Sequence, residues 1–163
     1  MKTRHCIALA AAVALTTLAM PAVAQQLPKS GTISVHTGTK WTGDFVTVAD
    51  KHVRGSGHTA GVTFNDRGAG PLHLGPMHCY DAFFTIDGQG KNKGVCAFGD
   101  TDGDRIFVDY TGTLTPEGAH GINEISGGTG KYAGISGSGP WKCKFAGANG
   151  ELQCTQRFDY RLP

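Results

Sequence analysis

After its N-terminal stretch the chain has no apolar run approaching the ~20 residues that cross a bilayer as a helix. It also has no excess of one charge. The 15 Lys and Arg include Lys2 and Arg4, and beyond residue 24 the rest are matched by 13 Asp and Glu. That balance weighs against a nucleic-acid-binding surface, which needs a basic excess. Glutamate is scarce, confined to Glu117, Glu124 and Glu151. No segment holds a 3.6-residue apolar period long enough for a helix. There is no Gly-x-Ser-x-Gly nucleophile elbow, and residues 127–131 lack the spacing of a phosphate loop. No cysteines stand at the short spacing of a structural zinc site.

What is present begins with an export signal. Lys2 and Arg4 precede an apolar run from Ile7 to Met20, and Ala22-Val23-Ala24 forms a small-x-small cleavage site. The expected organisation is a signal peptide over 1–24, a flexible lead-in over 25–30 and one domain over 31–163, delivered to the periplasm or secreted. All 25 glycines fall in the exported part, well over twice the usual ~7% share. Such density excludes a helical bundle, because glycine destabilises helices. Short Val-, Ile-, Thr- and aromatic-rich runs alternate instead with Gly, Asp and Asn clusters. Strands are predicted at 32–37, 44–53, 59–64, 77–86, 93–98, 105–113, 122–126, 139–145 and 151–161. Longer loops are expected at 65–76 and 115–121.

Four cysteines follow the signal: Cys79, Cys96, Cys143 and Cys154. An even number in an exported chain suggests disulfides. Asp87-Gly88 suits a two-residue turn with both central residues at positive φ. Closing a hairpin there sets Ile86 opposite Gln89 and, counting outward, Cys79 opposite Cys96 at a non-hydrogen-bonded pair. At such pairs the Cα atoms lie ~4.5 Å apart, within disulfide reach. A second hairpin turning through residues 147–150 sets Cys143 opposite Cys154. It also puts Trp141, Cys143 and Phe145 on one face with Leu152, Phe158 and Tyr160, and leaves Lys142, Lys144, Arg157 and Arg161 on the other. One dry and one wet face fit a half-buried antiparallel sheet. Closing it as an up-and-down barrel removes its edges. The expected fold is therefore all-β: a single antiparallel closed barrel of about eight strands with two hairpin disulfides.

The most distinctive segment is Gly127-Gly128-Thr129-Gly130-Lys131-Tyr132-Ala133-Gly134-Ile135-Ser136-Gly137. It resembles the Gly-Gly-Thr-Gly-x-aromatic-x-Gly stretch of allene oxide cyclase and dirigent barrels. It is also similar to exported bacterial proteins of that superfamily, in which a His-Cys pair (here His78-Cys79), an Asp-x-Asp-Gly-Asp turn (Asp100 to Asp104) and this motif follow one another. The resemblance implies a calycin-like eight-stranded barrel with an apolar cavity. Its motif is a packing element, and the glutamate that plant cyclases use in their cavity has no matching position here.

Several constellations invite chemistry. Asp100-Thr101-Asp102-Gly103-Asp104 suggests calcium, but Arg105 and Thr111 stand where an EF-hand needs Gly and Glu, so a hairpin turn with exposed carboxylates is expected. His36, His52, His58, His73, His78 and His120 do not converge at ligand spacing, and neither a metal nor an organic cofactor is expected. His78 and Asp81, three apart, face opposite sides of a strand. The aromatics Trp41, Phe83, Phe98, Tyr110, Trp141, Phe145, Phe158 and Tyr160 are candidates to line a cavity, and a barrel of this size can hold one small ligand. The expected function is non-catalytic binding of a small apolar ligand, with no nucleic acid and no membrane span. The alternatives are a cyclase or isomerase acting on a lipid-like molecule, and a protein-binding or inhibitor module using the 65–76 loop.

Overall fold

The computed structural model describes residues 27–163; the signal-peptide expectation lies outside the described residues. Eight antiparallel strands follow in order: β1 (Ser30–Ala49), β2 (His52–Asn65), β3 (Gly75–Ile86), β4 (Gln89–Gly99), β5 (Arg105–Thr115), β6 (Gly118–Gly128), β7 (Ser136–Phe145) and β8 (Glu151–Arg161). Each pairs with its neighbours, and β1 pairs with β8 from Ser30↔Arg161 to Lys40↔Glu151, closing the barrel. A single 3₁₀ turn, Gly130–Tyr132, lies between β6 and β7. No helix among the described residues is long and apolar enough to cross a membrane.

Three expected boundaries change. The runs at 32–37 and 44–53 belong largely to one long strand, β1, and the chain reverses at Asp50-Lys51, where Lys51 holds a φ of 56°. Without glycine or proline at that corner, the turn looks like continuing strand. The run at 59–64 extends back to His52, because Gly55 and Gly57 face inward against the rings of Phe83 and Trp41, which take the space their side chains would need. The loop expected at 115–121 is a tight Pro116-Glu117 turn with Gly118 opening β6. Nor is all of the lead-in loose: Ser30 is in β1, the Lys29 carbonyl accepts from the Leu162 amide at 2.7 Å, and Leu27 packs against the core.

Both hairpin registers stand as the turns imply. Cys79–Cys96 bridges β3 and β4, and Cys143–Cys154 bridges β7 and β8, each with Cα atoms 4.0 Å apart. Along β8 burial alternates residue by residue, Cys154, Gln156, Phe158 and Tyr160 inward and Gln153, Thr155, Arg157 and Asp159 outward.

The two ends of the barrel differ. The β1–β2, β3–β4, β5–β6 and β7–β8 turns lie at one end; the β2–β3, β4–β5 and β6–β7 connections lie at the other, with the start of β1 and the end of β8. That second end is sealed by a core of Ile33, Val35, Met77, Phe98, Ile106 and Phe158 with Tyr132 from the glycine-rich connection and Leu72 from the β2–β3 loop. Gly130 holds a φ of 52°, and a side chain there would collide with Asp104.

The Asp-rich turn and the glycine-rich motif meet in this seal. Lys131 places its ammonium 2.8 Å from Asp100, 2.5 Å from Asp102 and 3.6 Å from Asp104. The carboxylates are thus not all exposed, as a simple turn would leave them. Asp100 is buried, accepting hydrogen bonds from the Leu72 amide and the Tyr132 hydroxyl, each at 2.5 Å. The positive charge at the centre of this turn belongs to the protein itself.

The titration of this seal has a definite sign. Burial alone would lower the Lys131 pKa, but its hydrogen bonds to Asp100 and Asp102 outweigh that and hold it above the ordinary 10.5. Burial, then the hydrogen bond to Asp100, pushes the Tyr132 phenol above the ordinary 10.0. Both groups are raised, so their contribution is complete below those ordinary values and is lost as pH rises through the folded-state ones. Asp102 has the opposite sign: its hydrogen bond with Lys131 lowers it below 3.8, and its contribution is lost as pH falls further. Stability measured by urea unfolding should hold level across neutral pH and fall above pH ~10, at up to ~1.4 kcal/mol per pH unit for each tyrosine kept protonated. Tyr132→Phe should reduce that slope, and a wild-type curve flat from pH 9 to 11 would contradict the arrangement.

Candidate ligand-binding site

A cavity of about 400 Å³ occupies the other half of the barrel, and its wall reaches Gly88, Pro116 and Gly150 at three of the four hairpin turns. Small-molecule sites commonly run from ~300 to 1,000 Å³. Phe45 and Phe145 stand at the rim, 64% and 51% exposed. Both disulfides lie on the wall, since all four cysteines point inward.

The eight aromatic candidates divide by depth. Trp41, Phe83, Tyr110, Trp141 and Phe145 are on the cavity wall. Phe98, Phe158 and Tyr160 face inward too, but lie outside that wall, in the seal, with Phe98 and Phe158 edge to face at 5.1 Å. Strand alternation assigns a residue to a face and says nothing of its height in the barrel, hence the correction. On the wall, Trp41 meets Phe83 edge-on at 6.0 Å and Tyr110 meets Trp141 edge-on at 5.4 Å.

Between these pairs sits Asp81. Its Oδ1 accepts from the Trp41 indole N–H at 3.0 Å, and its Oδ2 accepts from the Tyr110 hydroxyl at 3.0 Å. Burial first, and the Asp81 charge second, push the Tyr110 phenol well above its ordinary range, so Tyr110 is a neutral hydrogen-bond donor. His78, three residues before Asp81, points outward and is exposed, as their spacing requires. Gly94 makes the arrangement possible: a Cβ there would lie 2.8 Å from the Tyr110 ring and 2.9 Å from Asp81 Cβ.

Two polar atoms of this region are buried without a hydrogen-bond partner in the protein, Asn92 Oδ1 and Trp141 Nε1. Both flank Gly112, where a methyl group would overlap Asn92 and Trp141 together. Buried polar atoms rarely go unpaired, because that costs ~1–3 kcal/mol. By contrast, Asn123 and Gln156 satisfy each other across the wall at 2.7 Å. Asn92 and the inward glycines are parts that sequence reading passed over, and Asp81 was weighed there only as a partner for His78. Asp81 shares the parity of Cys79 and Phe83, and that signal could have placed it inside.

Elsewhere the residues are structural. The β2–β3 loop is pinned down: Thr63 Oγ1 donates to the Leu72 and Gly75 carbonyls, Asn65 Nδ2 donates to Pro71, and Leu72 is fully buried. The histidines are dispersed, with His36 paired to Asp66 at 2.8 Å and His58 beside Tyr80 on the outer surface. Among the described residues no three His, Cys, Asp or Glu are grouped to hold a metal.

No protein-family model matches the chain, and no curated protein matches it either. Among solved structures it is similar to a protein of unknown function of the DUF3224 family from Shewanella oneidensis MR-1. The identity is 13% and the TM-score 0.54, over 82% of this chain and 99% of that one. That likeness concerns the fold.

Proposed function

We propose that this barrel is an exported carrier or receptor that binds a small, predominantly apolar molecule in its cavity without transforming it. The observation that carries this reading is the cavity itself: about 400 Å³ lined mainly by aromatic and aliphatic groups. A core evolved only for packing fills such space, because voids cost stability. The two disulfides support placement in the periplasm or outside the cell, where thiols oxidise. The motif resemblance supports membership of the allene oxide cyclase and dirigent barrel superfamily.

The chain's two tryptophans, Trp41 and Trp141, both line the cavity, so intrinsic fluorescence reports on it directly. Titration with an uncharged fluorescent apolar probe such as N-phenyl-1-naphthylamine should change their emission saturably. Ala119→Trp, which fills the wall between Leu114 and Cys143, should abolish that binding with the fold retained. Equal binding by the variant would show that the cavity is not the site.

Asp81 also gives the isomerase alternative its one cavity base candidate. An unsaturated epoxy fatty acid turned over by wild type and not by Asp81→Asn would favour that alternative, and absence of product would remove it.

A further inference from the structure

We propose that the cavity selects an organic cation, an amine or quaternary ammonium on an apolar body, with the Asp81 carboxylate as its counter-ion. This deepens the ligand-binding reading and rests on it.

The argument starts from charge. Among the described residues that line the cavity, Asp81 is the one with a charged side chain, and no Lys, Arg or His reaches the wall. Asp81 is half-buried on a mostly apolar wall, where a carboxylate gains from being paired. Trp41 and Tyr110 each donate one hydrogen bond to it, which fixes its orientation and supplies no positive charge. The seal at the other end shows how this protein pairs a buried acid when it supplies the partner itself, by bringing Lys131 to Asp100. At Asp81 the partner is left to the ligand.

The surrounding rings favour the same class. Trp41 and Tyr110 hold the carboxylate, and each packs edge to face on a second ring of the wall, Phe83 and Trp141. The negative faces of such rings attract ammonium groups, tryptophan most strongly. An anionic ligand such as a fatty acid meets none of these: no basic group receives it, and Asp81 repels it.

Three probes of equal chain length separate the possibilities: octyltrimethylammonium, 1-octanol and octanoate, titrated at neutral pH by tryptophan fluorescence and calorimetry. Wild type should bind the cation about tenfold or more tightly than the alcohol, with octanoate weakest. Asp81→Asn, which keeps the shape, removes the charge, leaves Trp41 an oxygen acceptor and lets the amide donate to the Tyr110 oxygen, should lose the preference for the cation and bind 1-octanol within about twofold of wild type. The wild-type ranking needs no variant, so the test survives misfolding of Asp81→Asn. Equal binding of alcohol and cation, or tighter binding of octanoate, overturns the cation inference and leaves ligand binding standing. No binding by any probe overturns both.

Discussion

Asp100→Ala is expected to cost the barrel about 3 kcal/mol or more of unfolding free energy. The side chain is buried and serves three donors from two parts of the chain: the Leu72 amide in the β2–β3 loop, and the Tyr132 hydroxyl and Lys131 ammonium in the glycine-rich connection. Truncation leaves the Leu72 amide and Tyr132 hydroxyl unpaired inside the protein, at ~1–3 kcal/mol each. Lys131 loses less, because it keeps Asp102 and Asp104 and its side chain is 22% exposed. Asp100→Asn keeps an oxygen acceptor for the Leu72 amide and fills the same space, and should cost less than alanine. Urea unfolding of the two variants beside wild type decides the matter. An alanine variant within 1 kcal/mol of wild type would mean that the seal is held by its apolar contacts alone.

The second large effect concerns the cross-links. Each disulfide closes a short stretch of chain, with sequence separations of 17 and 11 residues. In the chain-entropy account a loop of this size adds roughly 3 kcal/mol by restricting the unfolded state. Replacing Cys79 and Cys96 together by alanine should therefore lower stability by about that amount, and Cys143 with Cys154 by slightly less. Domains of this kind are stable by ~5–15 kcal/mol, so losing both bridges should leave the barrel near its limit at 37 °C. Thermal unfolding followed by circular dichroism, with and without reductant, measures this. A loss below 1 kcal/mol for either pair would place the stabilisation elsewhere, in the sheet itself.

The disulfide pairing was legible in the sequence because Asp87-Gly88 fixes a turn, and a turn fixes every cross-strand partner behind it. The faces of β7 and β8 followed from simple alternation. Depth did not, since residues such as Trp41 and Phe158 look alike in a strand although one lines the cavity and the other seals the barrel. The turn at Asp50-Lys51 was hidden because the residue at positive φ is a lysine, with no glycine or proline beside it. Asp81 carried no motif. Its significance depends on Trp41 in β1 and Tyr110 in β5 arriving from distant sequence positions, which closure of the sheet brings about. The Asp-rich turn and the glycine-rich motif were each visible, while their meeting through Lys131 was not.

The segregation of short turns to one end of the barrel and long connections to the other has a practical consequence. The rim residues at Asp87-Gly88 and Pro116-Glu117 take no part in the seal. Lengthening such a surface segment is thermodynamically cheap, about 0.6 kcal/mol for each doubling. New peptide could therefore be grafted at those two points to arch over the opening, making this chain a scaffold for tailored sensors whose foundations need no redesign.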